Sequence, residues 1–131
     1  MRASRFFALL LAIFLSLTNG AFAGEPDTPA KAKQVWQLLD YLAVDYSKAV
    51  ENGIVKSPTE YAEMQEFARA AQVQLKALPA HPDQPDLLLQ ADALRTAIAA
   101  KATEAQVARR AQALADAVLA SYPVPLAAKR A

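Results

Sequence analysis

The sequence predicts an all-α protein, an up-down-up-down four-helix bundle that follows a cleaved signal peptide. Three observations predict it. Four segments carry apolar residues at helical spacing, Pro, Gly and capping residues punctuate them at short intervals, and no period-two strand pattern competes. Short connections between amphipathic helices favour antiparallel neighbours, hence the bundle.

Residues 1–23 read as an export signal. Arg2 and Arg5 give a positive start, residues 6–17 form an apolar run, and Ala21-Phe22-Ala23 has the small-x-small pattern of a signal-peptidase site. A spanning helix needs roughly 20 apolar residues, more than this run offers. Cleavage after Ala23 leaves residues 24–131 as one small periplasmic domain, with the bundle over 24–122 and a proline-containing linker or tail over 123–131.

Thr28 is positioned to cap the first helix, with Pro29 at its first position, where the missing N–H costs nothing. Val35, Leu38, Leu39, Leu42, Tyr46 and Ala49 then form one stripe, and Asn52-Gly53 is expected to stop the helix. Ile54 and Val55 are expected in a short extended link folded back over the core. Ser57-Pro58-Thr59-Glu60 has the composition of a capping box and opens the second helix. Its stripe is Tyr61, Met64, Ala68, Ala71, Leu75 and Leu78, and Pro79 ends it. A linker over 80–85 holds the single histidine, His81, expected to be solvated. The third helix runs over about 86–100 with Leu87, Ala91, Leu94 and Ile98 inward. Thr103 and Gln106 form a second capping box for the fourth helix, whose stripe is Val107, Ala111, Leu114, Val118 and Tyr122, closed by Pro123.

Composition excludes several functions. Loss of Arg2 and Arg5 takes the 14 Lys+Arg to 12, against 13 Asp+Glu, so the mature domain is near neutral. It lacks the basic stripe of a nucleic-acid binder, and no second segment of spanning length follows the signal. The chain has 0 cysteines, which removes thiolate nucleophiles, thiolate metal sites and covalent c-type haem. No phosphate loop, nucleophile elbow or His-Glu metal motif occurs, so no enzyme activity is expected.

Chemistry, if any, concentrates between residues 37 and 68. At 100° per residue Asp40 falls outside the first stripe and should be solvated, whereas Asp45 falls near the stripe's edge beside Leu38 and Tyr41. A carboxylate there must find a partner or leave the core. On the second helix, Glu60 serves the cap and Glu66 can pair with Arg69. Glu63 lies between them, so Asp45 and Glu63 are the carboxylates most able to converge if the two helices are neighbours. Such a pair can present oxygen ligands to a hard or borderline cation. The alternative is a capped, solvated helix face with Tyr41, Tyr46, Tyr61 and Phe67 as core-edge residues.

The wording LLDYLAVDY at 38–46, AVENG at 49–53 and EYAEMQEFA at 60–68 resembles the exported N-terminal helical region of bacterial high-affinity iron permease family proteins. In the fusions it resembles, a cytochrome c domain and a membrane-embedded permease follow that region, and SYPVPLAAKRA at 121–131 looks like the segment leading into the cytochrome. The cytochrome's C-x-x-C-H and the permease's Arg-Glu-x-x-Glu motifs are absent, so none of the family's functional residues carries over. The resemblance implies a monomeric periplasmic module associated with iron uptake, binding a membrane iron permease or cytochrome c domain, or weakly presenting iron through Asp45 and Glu63. A purely structural or interaction domain with no metal role is the alternative.

Overall fold

A computed structural model describes residues 27–124. The expected signal peptide and all but the first two residues of the expected tail lie outside them. Four helices make up the fold: α1 (Asp27–Asp45), α2 (Pro58–Lys76), α3 (Gln84–Ala99) and α4 (Glu104–Ser121). Between α1 and α2 lie a 3-10 turn, Tyr46–Lys48, and two short strands, β1 (Val50–Glu51) and β2 (Ile54–Val55). Helix α1 packs against α2 and α4, and α3 closes the square between those two. Sequential helices joined by short turns give the up-down-up-down four-helix bundle.

The four stripes meet in one core. Leu39, Leu42, Tyr46, Met64, Leu75, Leu87, Leu94, Ile98 and Leu114 are its largest fully buried side chains, with Ala68, Ala71, Ala91 and Ala111 between them. Burying such aliphatic side chains is worth about 1.5–3 kcal/mol each before the entropy cost, enough to hold a bundle without cross-links.

The link between α1 and α2 departs from the sequence expectation. Helix α1 opens at Asp27, so Thr28 lies inside it, and the helix gives way to the 3-10 turn after Asp45. Asn52 (φ 52°) and Gly53 (φ 80°) do not cap a helix. They form the two-residue turn of an antiparallel hairpin with Val50 opposite Val55 and Glu51 opposite Ile54. Left-handed conformation at both turn positions matches the twist of the flanking strands, and β-branched Val50, Ile54 and Val55 favour the strand. Val55 packs on the core as expected, but Ile54 is 69% exposed. Pleating turns it to the other face.

The caps also differ in detail. Thr103 and Gln106 complete a reciprocal capping box, with hydrogen bonds of 3.3 and 3.2 Å. At α2 only half of the box forms: Ser57 Oγ accepts from the Glu60 N–H at 3.2 Å. The Ser57 N–H already donates to the Ala49 carbonyl at 3.3 Å, which leaves Glu60 nothing to return. Gln84, at the start of α3, donates its amide to the Leu75 and Leu78 carbonyls at 3.0 and 3.1 Å, satisfying the end of α2.

Tyrosines tie the two poles of the bundle. Tyr46 Oη donates to the Ala102 carbonyl at 2.8 Å and Tyr61 Oη to the Ile98 carbonyl at 2.7 Å, both at the α3–α4 turn. At the other pole Tyr122 Oη donates to the Pro79 carbonyl at 2.6 Å. His81, expected to be solvated, is half-buried against the Tyr122 ring, centroids 5.2 Å apart, and its Nδ1 accepts from the Asp83 N–H at 3.0 Å. The prolines around it bend the loop back onto the end of α4.

Candidate functional site

Two ridges face each other across the outer surface of α1 and α2. On α1 the ridge is Gln34, Leu38, Tyr41 and Asp45, spaced i, i+4, i+7, i+11. On α2 it is Glu63, Phe67, Ala70 and Gln74, with the same spacing, and the helices are antiparallel neighbours. Residues at these offsets share one face of a helix. Asp45 and Glu63 therefore both lie at the hairpin-pole end of their helices, Tyr41 and Phe67 at the middle, and Gln34 and Gln74 toward the proline pole.

Asp45 is buried, 7% exposed, and its Oδ1 lies 3.3 Å from Lys48 Nζ. The sequence places it at the stripe's edge in need of a partner, and Lys48 is that partner. Glu63 is exposed on α2. Both carboxylates act on the hydroxyl of Tyr41, whose pKa is raised above its ordinary value, chiefly by hydrogen bonding to Asp45 and by that carboxylate's charge, with burial and Glu63 adding to the shift. The Tyr41 ring stands edge-on to Phe67, centroids 5.2 Å apart. Asp40 is exposed, and Glu66 pairs with Arg69 Nε at 3.3 Å. Among the described residues no third His, Cys, Asp or Glu joins Asp45 and Glu63 to complete a metal cage. Met64 is fully buried in the core and His81 lies at the far pole, so the two do not face one another.

Below the carboxylates the groove widens into a trough of about 520 Å³ lined by Gln34, Gln37, Leu38, Tyr41 and Gln74. That volume lies within the range of about 300–1,000 Å³ usual for binding sites. Gln74 Oε1 is buried and has no donor among the described residues. A buried acceptor without a donor costs about 1–3 kcal/mol. The three glutamines are the residues that the sequence reading missed. They line the groove only once α2 is placed beside α1, which no local pattern announces. A second groove, about 340 Å³, lies between α2 and α3. Its Arg95 already donates to Gln72 at 2.7 Å, so its polar groups are better satisfied.

Fold and groove together define a small helical bundle with an open groove on its α1–α2 surface, and no buried ligand set occurs among the described residues. Over residues 25–125 the chain matches the family model described as the iron permease-associated 4-helix bundle domain. The chain belongs to that family. Neither a curated protein nor a solved structure matches it. None of the described helices is long and apolar enough to cross a membrane.

Proposed function

We propose that this chain is an exported, non-catalytic partner-binding module of iron uptake, working beside a membrane iron permease or a cytochrome c domain associated with one. Family membership spanning the whole bundle is the observation that carries this reading. The open groove of about 520 Å³ on α1 and α2 supports it, because such a surface suits association better than turnover. The test is co-purification of the tagged chain with the membrane iron permease of the same cells, alongside radio-iron uptake in cells lacking the chain. Unchanged uptake together with no co-purification sinks the reading. Export is tested by mass spectrometry of the periplasmic fraction, where Gly24 is the expected first residue. Recovery of the intact chain from membranes refutes cleavage.

A second reading gives the carboxylate pole a metal role. It is supported by the placement of Asp45 and Glu63 at the same end of the adjacent helices α1 and α2. Two carboxylates, one of them engaged by Lys48, make an incomplete oxygen site, so binding of iron or manganese should be weak and poorly selective. Calorimetric titration of the chain and of the Asp45→Asn, Glu63→Gln double variant decides it. Absent binding in the parent, or undiminished binding in the variant, leaves a purely interaction-based module.

A further inference from the structure

We propose that the α1–α2 groove is the docking site for one helix of a partner protein, bearing a basic residue at one end, apolar residues at its middle and a hydrogen-bond donor at the other. This rests on the module reading and names the surface and the chemistry that it would use. Three features of the groove specify the occupant. Both walls are helical ridges with i, i+4, i+7, i+11 spacing, the profile into which the ridges of a third helix interlock. The groove is also graded along its length. Glu63, with Asp45 behind it, calls for a cation, Leu38, Tyr41 and Phe67 for apolar side chains, and the carboxamides of Gln34, Gln37 and Gln74 that line the trough for an N–H or O–H donor. Finally, the carboxylate pole is available to a partner: Lys48, the counter-ion of Asp45, has a side chain 66% exposed and free to swing away, and Glu63 itself is exposed. An arginine with its planar fork can replace a single ammonium there.

Spacing follows from helix geometry. Gln34 and Asp45 are eleven positions apart, a rise of about 16 Å at 1.5 Å per residue. The partner helix therefore needs its basic and donor residues about three turns apart with leucine-like residues between.

The test uses the purified, isotopically labelled chain and a synthetic helical peptide of about 18 residues, with Arg and Gln eleven positions apart and Leu between them. A second peptide differs only in carrying Glu for Arg. Backbone resonances of residues 34–45 and 63–74 should shift with the first peptide, and the charge-reversed peptide should bind about tenfold or more weakly, with the difference shrinking at high salt. Glu63→Gln should narrow the gap between the two peptides. Gln74→Leu should weaken peptide binding while raising the melting temperature of the free chain, a split that a purely structural glutamine would not produce. No shifts in the groove, shifts centred on the Arg95 groove instead, or equal binding of both peptides overturns the proposal. Retained co-purification with the permease in Glu63→Gln and Gln74→Leu also overturns it, and leaves the module reading standing. Loss of co-purification in those variants supports it.

Discussion

The two halves of the bundle fill the core alike, α1–α2 setting Leu39, Leu42, Tyr46, Met64 and Leu75 among Ala32, Ala68 and Ala71, and α3–α4 setting Leu87, Leu94, Ile98 and Leu114 among Ala91, Ala111 and Ala115. They differ in what the aromatic side chains of the first half do at the edge of that core. Their polar tips reach out of it: Tyr46 Oη donates to the Ala102 carbonyl and Tyr61 Oη to the Ile98 carbonyl, which also accepts from the Lys101 N–H, so both hydroxyls fasten the α3–α4 turn. Lys101, held at φ 57° in that turn, places its ammonium 5.6 Å over the Tyr61 ring and adds a cation–π contact. The second half contributes the accepting carbonyls. The outer surfaces differ as well: the first half presents a graded groove with an unpaired acceptor, and the groove that reaches α3 has its arginine engaged.

The largest expected effects test whether the two halves share one core. Leu42→Ala and Leu114→Ala should each cost about 2–5 kcal/mol in denaturant unfolding, the range for large-to-small changes at buried sites. If only the first is severe, the α3–α4 half can collapse around the loss and the halves are unequal partners.

Tyr46→Phe comes next and probes the link between the halves. It keeps the ring, orphans the Ala102 carbonyl, and should cost about 1–3 kcal/mol. It also has a pH signature. Burial is the main cause that pushes the Tyr46 hydroxyl up to about 12. The folded state thus holds this proton more tightly than the unfolded chain, whose tyrosine titrates near the ordinary value of about 10. The corresponding stability is fully present below pH 10 and is lost as pH rises from there toward 12. Tyr61 and Tyr122 are shifted in the same direction, so Tyr46→Phe should reduce the alkaline loss without abolishing it.

Thr103→Ala removes the reciprocal cap on α4 and should cost about 1 kcal/mol. Circular dichroism under mild denaturant should show less helix, since α4 loses its start. Asp40→Asn should change stability by about 0.5 kcal/mol or less, as expected of an exposed site. A larger effect than Thr103→Ala would mean that the faces of α1 are wrongly assigned.

The helices and their inward stripes were legible in the sequence because helical periodicity and capping chemistry are local. Every stripe position of the third and fourth helices is buried. Asp45 was legible for the same reason, as a carboxylate at the edge of a stripe that had to find a partner. What escaped depended on distant partners or on competition between local signals. Asn52-Gly53 serves equally as a helix stop and as a hairpin turn, and the pairing of Val50 with Val55 decided between them. The environment of His81 depends on Tyr122, which lies 41 positions away in the chain. The glutamines of the groove carried no signal until α2 was placed beside α1. The tyrosine hydroxyls likewise bond to carbonyls 37 to 56 positions away, which no local pattern announces.

One consequence of the proline pole concerns mechanics. Tyr122 is held by the Pro79 carbonyl and the His81 ring, and Ser121 Oγ donates to Asp83 Oδ2 at 2.9 Å, so the last turn of α4 is fastened to the α2–α3 loop at three points. The last turn of α4 therefore has no free swivel against the α2–α3 loop, and the two are braced as one end of the bundle, like the clamped root of a lever arm. The carboxylate end of the groove sits at the opposite pole, about 27 Å away along the 18 helical steps from Asp27 to Asp45. The fastened tip and the acidic end of the groove thus stand a full helix length apart on one bundle.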